Sequence, residues 1–122
     1  MRRPRALAVA LVLVAGLMAC SRPTPPAPTA EQALLLKPAD PRVATLYEQS
    51  CKACHAVPGT GAPLVEDRKA WDPRWKQGQA VLLDHAIQGF RSMPAGGQCA
   101  ACNPNDFNAL IRFMAGREDS AS

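Results

Sequence analysis

The chain has 122 residues, of which 48% are hydrophobic and 5% aromatic, so it has room for one small domain. Its formal net charge of +4 depends on three arginines within the first five residues. Without residues 1–19 there are 11 basic and 10 acidic side chains, a nearly neutral balance. The composition therefore gives no support for nucleic-acid binding, which needs clustered positive charge.

The N-terminus predicts export. Arg2, Arg3 and Arg5 precede an apolar stretch from Ala6 to Ala19, the pattern of a secretory signal peptide. This stretch has 14 residues, whereas a membrane-spanning helix needs about 20. Residues 1–19 are therefore predicted to be a targeting segment and not a spanning helix.

The end of this stretch resembles the lipobox of bacterial lipoproteins. In Leu17-Met18-Ala19-Cys20, a large residue stands at the position where ordinary signal peptidase requires a small one. The resemblance implies that Cys20 becomes the lipidated N-terminus, which holds the protein on a membrane at the periplasmic side. Ser21 in place of aspartate favours the outer membrane. The alternative interpretation is a signal-peptide cysteine of no consequence.

Residues 20–39 are predicted to form a lipidated, proline-rich tether. Four prolines between Pro23 and Pro28 favour polyproline II and disfavour a packed core. At about 3.1 Å per residue, the tether would extend roughly 60 Å. Its one apolar patch, Leu34-Leu35-Leu36, is compatible with docking on the domain and with lying at the membrane surface.

Residues 40–118 predict an all-α domain, and a disordered tail is expected at 119–122. Pairs of a capping residue and a proline indicate helix starts, and they occur at Asp40-Pro41, Asp72-Pro73 and Asn103-Pro104. They predict a helix over 41–52, a short turn that ends at Gly78, and a last helix that ends at Gly116. Apolar spacing predicts a further helix over 79–88, closed by Gly89.

A domain this small needs help from a disulfide, a metal or a cofactor to form a stable core. The sequence Cys51-Lys52-Ala53-Cys54-His55 is C-x-x-C-H, the attachment signature of c-type haem. In this chemistry two thiols form thioethers with the haem vinyl groups, and the histidine ligates the iron. The alternative is a redox or zinc C-x-x-C followed by an accidental histidine.

A sixth iron ligand is expected from the opposite side of the haem. The candidates are His85, Met93 and Met114. Met114 lies on the apolar stripe of the last helix and is expected in the core, and His85 is expected to be a half-exposed helical residue. Met93 is favoured, because a proline- and glycine-bearing loop can present a flexible thioether to the iron.

Several of these segments together resemble the class I c-type cytochromes. They are Cys51–His55, Gly61-Ala62-Pro63-Leu64, Met93-Pro94 and Ala109–Met114, within a resemblance that covers residues 40–118. The second pair, Cys99-Ala100-Ala101-Cys102, is similar to one in the bacterial cytochrome c-five group, in which it is a disulfide. His85 and Trp75 depart from the group's pattern, and a lipid anchor is not typical of it.

The resemblance implies a fold of about four helices with long loops around one covalent haem (heme c). It implies that the Pro63 carbonyl orients the ring of His55. It also makes Trp71 and Arg74 candidates to hold a haem propionate.

The function implied is one-electron transfer, because His55 and Met93 would fill both axial positions and leave no open site on the iron. The expected partners are redox proteins (a cytochrome oxidase, a reductase or another cytochrome) that contact residues near 53, 58–61 and 94–97. No small-molecule substrate and no enzymatic activity are expected.

Three other functions remain open at this stage. One is a haem-based sensor or enzyme subunit in which Met93 is displaceable. Another is a zinc module formed by Cys51, Cys54, Cys99 and Cys102, which export to an oxidising compartment disfavours. The third is a disulfide oxidoreductase that uses the second cysteine pair, for which the expected β-strands are missing.

Overall fold

The computed structural model describes residues 22–118 and confirms an all-α fold. The predicted signal peptide, Cys20 and the tail at 119–122 lie outside the described residues. The elements are α1 (Ala30–Leu35), α2 (Pro41–Leu46), a π-helical turn (Tyr47–Cys51), α3 (Lys52–His55), α4 (Arg68–Trp75), α5 (Gln79–Gln88), a 3₁₀ turn (Ala95–Gln98) and α6 (Pro104–Met114). No helix within this part of the chain has the length and apolar character needed to cross a membrane.

The first predicted helix begins where its cap indicated and runs further than expected. Oδ1 of Asp40 accepts hydrogen bonds from the amides of Arg42 and Val43, at 2.8 and 3.0 Å. Helices α2 and α3 are continuous through the π-helical turn, so the helical segment ends at His55 and not at residue 52. The C-x-x-C-H motif therefore lies on one helical segment.

The last helix forms as its capping signals predict. Oδ1 of Asn103 accepts from the amides of Asn105 and Asp106, and the Asp106 carboxylate accepts from the Asn103 amide in return. The same carboxylate receives two hydrogen bonds from the guanidinium of Arg42, at 3.1 and 2.9 Å. This bidentate contact joins the start of α2 to the start of α6.

Apolar side chains fasten the same two segments together. The ring of Tyr47 packs edge-on against Phe113, with 4.9 Å between centroids. The stripe predicted on α6 is buried in the core and consists of Phe107, Leu110, Ile111, Phe113 and Met114.

The prediction that Asp72-Pro73 opens a turn is wrong. Asp67 caps α4 instead, since its side chain accepts hydrogen bonds from the amides of Lys69 and Ala70. Pro73 then lies inside the helix. The Asp72 carboxylate is paired with two arginine side chains. Its Oδ1 accepts hydrogen bonds from Arg68 at 2.8 Å and from Arg117 at 3.0 Å. The first pair lies within α4, and the pair with Arg117 fastens α4 to the chain that follows α6.

Helix α1 is an element that sequence reasoning did not predict, and it lies in the segment assigned to the tether. Thr29 and Gln32 form a reciprocal capping box around its first turn. Ala33 is completely buried in the hydrophobic core. Of the leucine run, Leu36 packs against this core, whereas Leu34 and Leu35 are exposed.

Candidate functional site

One cavity brings together the residues that the sequence analysis assigned to haem attachment and ligation. Cys51, Cys54, His55 and Met93 all line it. Much of the remaining wall is apolar and comes from α5 and α6, through Leu82, Ala86, Phe107, Leu110, Ile111 and Met114. Sequence reasoning placed most of these in the core, and their helical spacing gave no sign that they face a cavity.

The two cysteines of the motif present free thiols at this cavity. Cys51 is buried and Cys54 is exposed. Burial raises the pKa of the Cys51 thiol, so the thiol is held in its protonated form. The pair therefore offers one thiol inside the cavity and one at its mouth.

The imidazole of His55 is held in a defined orientation. Its Nδ1 lies 2.9 Å from the carbonyl oxygen of Pro63. Because a carbonyl can only accept, Nδ1 must carry the hydrogen, which leaves Nε2 with a free lone pair in the neutral ring. Burial lowers the pKa of His55 and so favours this neutral form, which is the form that binds metals.

Trp71 lies beside His55 at the cavity. The two rings stack with 5.8 Å between centroids and 29° between planes. The indole N–H of Trp71 donates to the Leu64 carbonyl at 2.8 Å. The sequence could not show this, because a backbone acceptor leaves no residue pattern.

Arg74 lies beside the cavity with part of its guanidinium engaged. Its Nη1 donates to the carbonyl of Ala70 on the preceding turn of α4. Arg74 lines the cavity, and its positive charge contributes to the lowered pKa of His55. Trp71 and Arg74 both border the cavity, so contact with a haem propionate stays a prediction for each of them.

The loop that carries Met93 is fixed by its backbone. The amides and carbonyls of Met93 and Phe90 exchange two hydrogen bonds, each of 3.0 Å. Gly97 lies against the end of the Met93 side chain, since a Cβ there would be 3.1 Å from the methionine methyl carbon. Met93 is therefore confined at the cavity wall.

The other two ligand candidates also reach the cavity wall. Met114 is buried among the core residues of α6. His85 stacks on Phe90 with 4.0 Å between ring centroids. Phe90 belongs to the site and was missed by sequence reasoning, although its position directly after Gly89 placed it in the loop that leads to Met93.

The second cysteine pair lies beyond this loop. Cys99 and Cys102 form a disulfide, with Cα atoms 5.4 Å apart. The pair stands between the 3₁₀ turn and the cap of α6, so it closes the segment that leads from Met93 to the last helix. Because both thiols are consumed, a zinc site made of all four cysteines is not possible.

The residues present fit a covalent haem. The cavity offers two free thiols, an oriented neutral imidazole and a thioether, within largely apolar walls. Thioether formation uses two thiols of a C-x-x-C-H motif, and iron accepts histidine nitrogen and methionine sulfur as axial ligands.

Comparisons with known proteins agree with this fit. The profile of the family described as "Cytochrome C oxidase, cbb3-type, subunit III" matches residues 38–114. Cytochrome c-555 of Chlorobaculum tepidum is 35% identical over 75 residues, which span 58% of this chain and 69% of that protein. Cytochrome c5 of Ectopseudomonas mendocina is 37% identical over 73 residues, spanning 58% and 84%.

A further cytochrome c5, from Azotobacter vinelandii, is 38% identical over 68 residues, spanning 54% of this chain and 82% of that protein. Among solved structures, a chain from the "Crystal structure of electron transfer complex of nitrite reductase with cytochrome c" superposes with a TM-score of 0.57 at 32% identity. The superposition covers 65% of this chain and 96% of that one.

Proposed function

Since the chain belongs to the cytochrome c family, as a class I c-type cytochrome with a covalent haem c and electron transfer as its function, we propose that His55 and Met93 are its iron ligands. The bound haem supplies one-electron exchange at its iron. Cys51 and Cys54 hold the group at one edge, and Pro63 keeps the imidazole of His55 turned toward it. The observation that carries the proposal is the single cavity shared by these ligands and thiols.

With His55 and Met93 both holding the iron, the protein would leave no coordination position open for a substrate, which suits an electron carrier. The apolar walls disfavour the more highly charged oxidised state, and methionine ligation raises the potential in the same direction. The protein part of the mechanism is to orient the ligands, to exclude water and to keep the mouth of the cavity accessible to a partner.

Substitution of the two far-side candidates tests the ligand assignment. Met93→Ala is expected to open a coordination position, lower the reduction potential and allow carbon monoxide to bind the reduced protein at neutral pH. His85→Ala is the matched control, which should do none of these. If His85→Ala alone changes the ligand-field spectrum, the iron has two histidine ligands and the assignment of Met93 is wrong.

The mouth of the cavity is suited to a brief contact with another redox protein. Its exposed residues include Cys54, Thr60, Gly61, Ser92 and Pro94, and the only charged exposed residue lining it in the described chain is Arg91. A nearly uncharged rim gives weak electrostatic steering and a small transient interface. The related chain in the nitrite reductase complex supports a reductase as the partner. An oxidase or another cytochrome would also need access to the mouth of the cavity, so these partners fit the same surface.

The proposal extends to the N-terminus, where Cys20 is the lipidated residue and the domain is held at the periplasmic side of a membrane. The lipobox-like sequence and the export signal support this location. Intact mass of the membrane-bound protein is expected to show cleavage before Cys20 and added acyl chains. Cys20→Ser should move the haem protein to the soluble fraction, and a membrane-bound Cys20→Ser variant would contradict the tether.

A further inference from the structure

Helix α4 presents two different faces to the rest of the protein. Trp71 and Arg74 lie at the wall of the cavity. The opposite face forms a groove lined by Lys69, Asp72, Pro73 and Lys76. Residues Thr24, Pro25, Pro26 and Ala27 of the N-terminal segment line the same groove. The proline-rich chain thus lies along the side of α4 that faces away from the haem cavity.

The segment that follows stays on the domain. Ala33 is completely buried in the core, Leu36 packs against it, and Pro38 is buried. The amide of Ala39 donates to the carboxylate of Glu118 at 2.8 Å. We call residues 24–36 the strap, because they run along the domain from the groove of α4, which residues 24–27 line with exposed side chains, to the core at Ala33 and Leu36.

The position of the strap limits how far the domain can lie from the lipid anchor. A free tether of residues 20–39 would allow the domain to move roughly 60 Å from the membrane. With Thr24 already in the groove, only the four residues from Cys20 to Pro23 remain as a leash. Four residues can reach about 12 Å at about 3.1 Å per residue. The domain therefore has one side that is close to the lipid anchor.

The chemistry of that side fits a bilayer surface. Leu34 and Leu35 are 48% and 77% exposed on the outside of the strap. Lys69 and Lys76 are exposed beside it, and neither takes part in an ion pair within residues 22–118. Exposed apolar side chains and lysines each favour binding at the interface of membranes that contain anionic lipids.

We propose that the strap side of the domain, with Leu34, Leu35, Lys69 and Lys76, rests on the anionic bilayer, so that the haem cavity opens away from the membrane. This inference depends on the lipidation of Cys20 proposed above. It assigns the redox partner to the aqueous side of the domain, because α4 separates the strap from the cavity.

Hydrogen–deuterium exchange of the lipidated haem protein tests this orientation. The protein is bound to vesicles of phosphatidylethanolamine and phosphatidylglycerol, and the unlipidated Cys20→Ser haem protein in buffer is the reference. We expect slower exchange in peptides that cover 30–36 and 69–76, and no change at 57–62 and 94–98. Protection at the cavity peptides, or an even pattern without protection of the strap side, would overturn the proposal.

A pair of alanine substitutions on α1 tests whether docking of the strap causes the orientation. Ala33→Gln places an uncharged polar group in the core and should release the strap, with loss of the one-sided exchange pattern. Ala30→Gln adds the same uncharged side chain at an exposed position of the same helix and should keep the pattern. If Ala33→Gln prevents folding, as the haem spectrum would show, Thr29→Ala loosens the capping box more gently and should weaken the pattern.

Equal patterns in the docked and undocked variants would contradict the role of the strap. Intact mass separates this failure from failure of the tether. A protein without lipid at Cys20 refutes both the tether and this orientation, whereas a lipidated protein with an even pattern refutes the orientation alone. The haem spectrum reports the electron-transfer assignment independently of either.

Discussion

The ring of His55 is held from two directions, and Trp71 accounts for one of them. The two rings are stacked at 5.8 Å, while the indole N–H of Trp71 is fastened to the carbonyl of Leu64 next to Pro63, whose own carbonyl accepts from His55. The segment 63–64 therefore positions both rings through consecutive backbone carbonyls. Trp71 is thereby placed to orient the ring of His55, the proposed iron ligand.

Trp71→Phe tests this arrangement. The ring that stacks on His55 is retained, but the hydrogen bond to Leu64 is lost, which should cost about 1 kcal/mol of unfolding free energy. We expect haem attachment to persist and the reduction potential to shift, because the orientation of the His55 ring is less well defined. Trp75→Phe is the control, since the indole of Trp75 makes no hydrogen bond within the described residues. An equal potential shift in both variants would refute the positioning role.

Gly97 is expected to matter for ligation by Met93 in a way that its neighbour Gly96 does not. Both have left-handed backbone, with φ of 53° and 69°. A Cβ at Gly97 would lie 3.1 Å from the Met93 methyl carbon, whereas a Cβ at Gly96 meets nothing within 4 Å.

Alanine at either glycine should therefore cost about 1–2 kcal/mol of stability through backbone strain. Gly97→Ala alone should weaken the methionine–iron charge-transfer band of the oxidised protein. Loss of that band in Gly96→Ala as well would show that loop strain, and not contact with Met93, controls the ligand.

The ion pair between Arg42 and Asp106 predicts a loss of stability in acid. Hydrogen bonds from Arg42 hold the pKa of Asp106 below the ordinary value of 3.8. A carboxylate with a lowered folded-state pKa stabilises the protein above the unfolded-state pKa, and this contribution disappears as the pH falls through the folded-state pKa.

Denaturation of the haem protein at a series of pH values measures this contribution. The free energy of unfolding should fall below about pH 4 in the unmodified protein, and Asp106→Asn should flatten this part of the curve while lowering stability at neutral pH. Glu48→Gln is the control, since its pairing with Lys52 is long, at 3.8 Å, and exposed. An acid limb unchanged by Asp106→Asn would exclude Asp106 as its source.

The disulfide between Cys99 and Cys102 is expected to be a structural clip. Closing so small a ring stabilises the fold by about 2 kcal/mol in the chain-entropy estimate. The double serine variant should keep its haem spectrum, lose about that much stability and hold Met93 less firmly. Thiol alkylation of the native protein should label neither cysteine until a reductant is added. Labelling of both without reductant would contradict the pairing.

Much of the site could be predicted because its chemistry is local in sequence. The C-x-x-C-H motif places two thiols and an imidazole on one helical segment, and the Asn103-Pro104-Asn105-Asp106 cap defines the start of α6. The start of α4 could not be predicted, because Asp67 and Asp72 are both able to cap a helix. Only the folded structure shows that the Asp72 side chain accepts hydrogen bonds from Arg68 and Arg117 and does not cap the helix.

Helix α1 was missed for a different reason. The prolines that precede it, at 23–28, indicate an extended chain, and the helix is stabilised by burial of Ala33 and Leu36 against residues distant in sequence. The bond from Trp71 to Leu64 likewise uses a backbone acceptor that no motif reveals.

The visible spectrum of the intact protein, combined with its mass, is the most direct test of haem attachment and ligation. We expect that one haem remains attached after denaturation, that the reduced protein is six-coordinate and does not bind carbon monoxide at neutral pH, and that Cys51→Ala with Cys54→Ala abolishes the haem-bearing exported protein. A stable folded double variant without haem, or a reduced protein that binds carbon monoxide readily, would contradict this expectation.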